Sequence, residues 1–148
     1  LIIKNPSNLP INTLVGGKCS GIITGGNLAL LVSTLGSEFE IDTKDKILFI
    51  EDIGENIYRL DRMLTQLSLA GKFDDCVGIV FGDFCDCNKD NDDDFEIIEL
   101  IQDRVAKYNK PCIFNLKSGH CTPTPMITLP FGCKYRLNAT EKTLELIK

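Results

Sequence analysis

Two residues of this 148-residue chain have the type and the setting to handle a proton. His120 is the single histidine, and an imidazole titrates close enough to neutrality to take and return a proton under ordinary conditions. It stands in Ser118-Gly119-His120, after an apolar run and before Thr122-Pro123-Thr124-Pro125, on a stiffened loop at a strand end. Glu51 closes the run Ile47-Leu48-Phe49-Ile50, at the carboxyl end of a strand apolar enough to be buried. A carboxylate there needs a hydrogen bond or a charged partner to stay ionised. The ends of two strands can set a carboxylate beside an imidazole, the pairing that orients a histidine for general-base work. The plainer alternatives are a capping or solvent-facing acid for Glu51 and a structural or surface ring for His120.

Other constellations carry less chemistry. Gly16-Gly17 and Gly25-Gly26 flank a strand, but no nucleotide-binding glycine motif can be written through them, so they read as tight turns. Asn88, Asp90, Asp92, Asp94, Glu96 and Glu99 can be threaded onto a calcium loop, yet Asp93 then occupies the position that needs glycine. A solvated acidic loop without a specific calcium site is expected between Asp86 and Glu99. Cys85 and Cys87 form a close pair with no second pair at zinc spacing, so no metal is expected. The serines are Ser7, Ser20, Ser33, Ser37, Ser68 and Ser118, and none lies in a Gly-x-Ser-x-Gly elbow. A complete hydrolase cannot be assembled from these residues.

The elements that must hold Glu51 and His120 follow from periodicity. Residues 20–26 form an apolar strand ending in a glycine turn, and Asn27 caps a helix with Leu28, Leu31 and Leu35 on one face and Gly36 as its stop. Residues 46–50 are a buried strand. Ile57, Leu60, Leu64 and Leu67 line one face of a helix over 55–70, which Gly71 ends. A strand over 76–81, a helix over 95–108 with an acidic first turn and a strand over 111–115 come next. Residues 134–137 and 143–147 alternate across a short turn as a hairpin. Strands alternating with helices predict an α/β fold, a mixed sheet packed on helices with a C-terminal β-hairpin. Residues 1–18, rich in Pro, Asn and Gly, read as a linker running into a domain over 19–148.

Composition narrows the function classes. One domain of this length buries about 70% of its unfolded surface. A net charge of −5 argues against nucleic acid and anionic membrane as partners, and no apolar run reaches the ~18 residues of a spanning helix. Seven cysteines without a repeating spacing read as reduced thiols in a reducing compartment. The chain opens at Leu1 rather than Met and is expected to be part of something longer.

Taken in order, several stretches resemble the C-terminal half of the LD-carboxypeptidase family, which includes muramoyltetrapeptide carboxypeptidases and microcin C self-immunity peptidases. They are Gly21-Ile22-Ile23-Thr24-Gly25-Gly26-Asn27-Leu28, Ile47-Leu48-Phe49-Ile50-Glu51-Asp52, Tyr58-Arg59-Leu60-Asp61-Arg62-Met63-Leu64, Gly78-Ile79-Val80-Phe81-Gly82, Gly119-His120 and Thr128-Leu129-Pro130-Phe131-Gly132. The resemblance implies a swivelling β/β/α domain following a nucleophile domain that lies outside this chain. It implies that Glu51 and His120 are two members of a Ser-His-Glu triad whose serine is on that other domain. It further implies cytoplasmic hydrolysis of the bond between an L-centre and a terminal D-alanine in muropeptides during murein recycling, without a cofactor. It allows a homodimer. A microcin C-type self-immunity peptidase, for which Glu55 is the less suited residue, and a non-catalytic binding domain are the other readings.

Overall fold

Three strand–helix–strand units in succession call for a parallel sheet with helices laid across it, and residues 18–114 build one. The computed structural model describes residues 1–88, 91, 95–121 and 125–147. In chain order the elements are β1 (Ile2–Ile3), β2 (Asn12–Val15), β3 (Lys18–Asn27), α1 (Leu28–Ser33), β4 (Ile47–Ile53) and α2 (Ile57–Leu69). They continue with α3 (Lys72–Asp75), β5 (Gly78–Cys85), α4 (Ile97–Val105), β6 (Cys112–Phe114), β7 (Lys134–Asn138) and β8 (Thr143–Leu146).

The eight strands form one mixed sheet in the order β1-β8-β7-β3-β4-β5-β6-β2. Strands β3 to β6 run parallel, and β3 serves two neighbours in turn. Its first half, Lys18 to Ile22, pairs antiparallel with β7, while Ile23 to Asn27 pair in parallel with β4. The sheet curls, so β4 is covered on both sides and six of its seven residues are buried.

Alternation along the central strands divides the core in two. Leu48, Ile50, Ile79 and Phe81 pack against Leu60, Leu64, Leu67 and Ile101 of the helices. Ile47, Phe49, Val80 and Ile113 face Tyr135, Leu137 and Leu144 of the terminal hairpin. The result is a layer of helices on a layer of parallel strands on a layer of antiparallel strands, as expected from the sequence. Burying both faces is why β4 and β5 read as unbroken apolar runs.

The periodicity of α2 is realised, with Ile57, Leu60, Leu64 and Leu67 buried together with Met63. Asn27 caps α1 through its side-chain oxygen, which accepts from the Leu30 N–H at 3.1 Å. Arg104 of α4 grips Asp61 of α2 with two bonds, at 2.6 and 3.1 Å, tying the helices across the layer. Several boundaries differ from expectation. Strand β5 runs four residues further, to Cys85, because its last turns pair with the extended end of β4. Helix α4 is shorter than predicted, and Ala106–Tyr108 tighten into a 3-10 turn. Residues 1–18, expected as a linker, also supply both edge strands of the sheet: β1 pairs with β8 and β2 with β6. Those pairings join residues more than 95 positions apart, which local composition does not register.

Candidate active site

Glu51 sits where β4 and β5 fall out of step. Ile50 pairs with Phe81 and Asp52 with Phe84, so β5 places both Gly82 and Asp83 opposite Glu51. Such a bulge bends a strand and re-aims the side chains beside it. Glu51 shares its parity with Ile47 and Phe49 and therefore stands on the side away from the helices. Asp52 takes the other side. Its carboxylate accepts from Asn27 Nδ2 at 3.0 Å, from the Ile53 N–H at 2.8 Å and from the Ala29 N–H at 3.1 Å, holding the start of α1. Two adjacent acids thus have separate duties, one at the site and one at a helix terminus.

The loop bearing His120 reaches Glu51 because Gly82 leaves room for it. A Cβ on Gly82 would lie 2.5 Å from both the Ser118 carbonyl oxygen and the Phe49 ring. With glycine there, the Asp83 N–H donates to Ser118 O at 3.0 Å and fastens the loop to the bulge. His120 Nδ1 then lies 2.8 Å from Glu51 Oε2. The glutamate side chain is 5% exposed and the imidazole 57%, so a buried carboxylate orients a ring whose Nε2 remains for chemistry.

The hydrogen bond that His120 donates to Glu51 raises the His120 pKa above its ordinary 6.5, and the charges of Glu51 and, more weakly, Asp52 act in the same direction against a small desolvation effect. An NMR titration of this chain, whose single histidine gives an unambiguous signal, should show a midpoint above 6.5 that falls back in Glu51→Gln. Because the folded midpoint is the higher one, the pair's contribution to stability is complete below pH 6.5 and disappears as pH rises through that midpoint. A midpoint unchanged by Glu51→Gln would show that the contact does not persist in solution.

Sequence reasoning missed the support beneath this pair. Asp83, just beyond the predicted strand over 76–81, is 5% exposed and accepts from Lys117 Nζ at 2.8 Å. The Lys117 N–H donates in turn to Asn5 Oδ1 at 2.8 Å, so the opening segment steadies the His120 loop. The side-chain nitrogen of Asn5 also donates to Asn115 O at 2.8 Å. A charged residue in a bulge and an asparagine next to Pro6 leave no local signal of these partners.

The cysteines also depart from expectation. Cys85, at the end of β5, is joined to Cys121, beside His120, with Cα atoms 5.5 Å apart, so this pair is a disulfide rather than two reduced thiols. Cys19, Cys76, Cys87, Cys112 and Cys133 are free. Burial pushes the Cys19 and Cys76 thiols up to about 11 and about 12, and Cys112 higher still.

Among the described residues, donor atoms of Asp83, Cys85 and Cys121 approach within 4.8 Å of one another. The sulfurs are bonded to each other and one Asp83 oxygen is held by Lys117. Of the expected acidic loop, residues 89, 90 and 92–94 lie outside the described residues. Glu96 and Glu99 form a capping box at the start of α4, where the Glu96 N–H donates to Glu99 Oε2 at 3.0 Å. No helix among the described residues is long and apolar enough to cross a membrane.

Residues 20–137 match the LD-carboxypeptidase C-terminal domain. The chain is 44% identical over 135 residues to a probable murein peptide carboxypeptidase of Bacillus subtilis, covering 90% of this chain and 42% of that one. It is 33% identical to the microcin C7 self-immunity protein MccF of Escherichia coli, covering 88% of this chain and 37% of that one. A solved structure of MccF with glutamyl sulfamoyl guanosine superposes with a TM-score of 0.80 at 27% identity, over 93% of this chain and 41% of that one. The muramoyltetrapeptide carboxypeptidase of Oxalobacter formigenes gives 0.74 at 26% identity, over 91% of this chain and 48% of that one. The chain therefore spans less than half the length of these relatives. The matched span, the identity to these relatives and the shared curled mixed sheet with its helices place the chain in the LD-carboxypeptidase family, as its C-terminal domain.

Proposed function

We propose that this domain supplies the glutamate and histidine of a Ser-His-Glu triad, and that the intact protein is a serine-type carboxypeptidase trimming terminal D-alanine from muropeptides. The observation that carries the reading is the 2.8 Å contact between a buried Glu51 and an exposed His120. The serine would come from a preceding domain, joined through residues 1–18 and closing over the imidazole. His120 Nε2 takes the serine proton as the oxygen attacks the carbonyl carbon, then gives it to the departing D-alanine amine. In the second half-reaction the same nitrogen takes a proton from water and returns it to the serine. Glu51 keeps Nδ1 protonated and offsets the positive charge of the imidazolium. No cofactor enters these steps. Murein recycling would place the protein in the cytoplasm, and a homodimer is compatible with the reading.

A second substrate class is favoured by the likeness to MccF, whose solved complex holds a glutamyl sulfamoyl nucleoside. Glu55, in the segment between β4 and α2, bears on the choice. Its Oε2 is buried without a hydrogen bond and lies 3.8 Å from Arg59 Nη1. Glu55 in Glu51-Asp52-Ile53-Gly54-Glu55 resembles the muropeptide enzymes, so the muropeptide reading is preferred.

The test compares this chain with the intact protein on an L-Lys-D-Ala or diaminopimelyl-D-Ala tetrapeptide and on an aminoacyl sulfamoyl nucleoside. The intact protein should release D-alanine, and the chain alone should release none above background, because its imidazole has no nucleophile to activate. Turnover by the chain near the intact rate would overturn the split triad. Preference for the sulfamoyl nucleoside would select the second substrate class.

A further inference from the structure

The cross-link at the edge of the site does not belong to the triad. Cys85 ends the bulged strand that faces Glu51, and Cys121 follows His120 directly in the chain. The bond closes a loop with a sequence separation of 36 and ties the imidazole's neighbour to the strand carrying Asp83. On the other side of His120, the Asp83 N–H holds Ser118 O at 3.0 Å. The histidine is therefore suspended between one hydrogen-bonded anchor and one covalent anchor, with Glu51 as its own partner.

Resting on the catalytic role proposed for His120, we infer that Cys85 and Cys121 form a reversible thiol–disulfide couple whose oxidation state sets how firmly the imidazole is held for catalysis. Cys85 is partly exposed and Cys121 is 6% exposed, so Cys85 is the sulfur that exchange partners meet first. The oxidant class is a small-molecule disulfide such as oxidised glutathione. The Cys85 thiolate attacks one sulfur of that disulfide and expels a glutathione thiolate, leaving a mixed disulfide on Cys85. The Cys121 thiolate then attacks Cys85 Sγ and expels the second glutathione thiolate. Two protein thiols are oxidised, one external disulfide is reduced to two thiols, and the two protons given up by the cysteines end on the two glutathione sulfurs. Cys19, Cys76 and Cys112 compete poorly, since burial keeps them as thiols.

Opening the bond leaves the triad residues in place but frees one side of the loop. Displacing a catalytic group by a fraction of an ångström to an ångström lowers turnover steeply, so reduction should cut kcat about tenfold with little change in KM. The experiment uses the intact protein equilibrated in glutathione buffers from reducing to oxidising. It reads the Cys85–Cys121 peptide by non-reducing mass spectrometry and kcat on the tetrapeptide in the same samples. The cross-linked fraction and kcat should rise together. Cys85→Ser and Cys121→Ser should each stay at the reduced rate in every buffer, and Cys133→Ser should respond as the parent does. Failure of the peptide to appear in oxidising buffer, or a cross-link that forms with kcat unchanged, would overturn the inference. His120→Ala is run alongside. If it is inactive while the parent ignores the buffer, only the redox inference falls; if it remains active, the triad reading itself falls.

Discussion

His120→Ala in the intact protein should lower kcat on the tetrapeptide about ten-thousand-fold while leaving the melting temperature nearly unchanged. The two halves of this result have different causes. The imidazole is 57% exposed and its described side-chain bond is the one to Glu51, so removing it uncovers little apolar surface. Catalysis loses its proton carrier, and the serine hydroxyl is a weak nucleophile on its own. Glu51→Gln should cost a similar factor for another reason. An amide can present its NH2 to Nδ1 and favour the wrong tautomer, placing the proton on the nitrogen that has to accept one. The substitution hardly changes volume at a site where the side chain is 5% exposed, which separates tautomer control from packing. Steady-state kinetics and a thermal melt on each variant decide the matter. A loss below tenfold in both would remove Glu51 and His120 from the catalytic machinery.

Gly119→Ala should rank next, at about a hundred-fold in kcat together with a stability loss of roughly 1–3 kcal/mol. Gly119 has φ +151°, a conformation that side chains disfavour, and an added Cβ would lie 2.9 Å from Glu51 Oε2. The methyl group would push the carboxylate away from the imidazole it orients. Gly36→Ala provides the comparison. That residue has φ +81° with nothing within 4 Å of an added Cβ, so it carries backbone strain alone. It should lose stability, about 1 kcal/mol, without losing activity. The two variants are separated by denaturant unfolding and by kcat, and the His120 titration should move toward 6.5 in Gly119→Ala only. Equal activity in the two would mean that Glu51 has room to shift without consequence.

What the sequence conveyed about this molecule depended on how local each signal was. The inner face of α2 was readable because four apolar side chains recur at helical spacing within a dozen residues. Glu51 was readable because its strand is apolar and its carboxylate is not. The bulge opposite it was not, since an extra residue on β5 becomes visible only once the pairing with β4 is known. Asp83 looks like the first of a run of solvated acids until Lys117, 34 residues away, is brought onto it. Cys85 and Cys121 are similarly distant in the chain, and each has other cysteines nearer in sequence. The edge strands within residues 1–18 lack periodicity because β1 is two residues long and β2 four. The resemblance to the family compensated where the pattern fell short, by placing Glu51 and His120 in one site.

The buried thiols offer a built-in gauge of how the molecule opens. Cys76 and Cys112 are fully covered within the helix-side core, and their raised pKa values keep them unreactive while that core is closed. A pulse of alkylating reagent therefore labels them only in molecules whose helix layer has separated from the sheet. Cys133 lies partly exposed beside the hairpin-side core, and its labelling reports that edge instead. The ratio of the labelling rates distinguishes peeling of the terminal hairpin from loss of the whole domain, without introducing any probe.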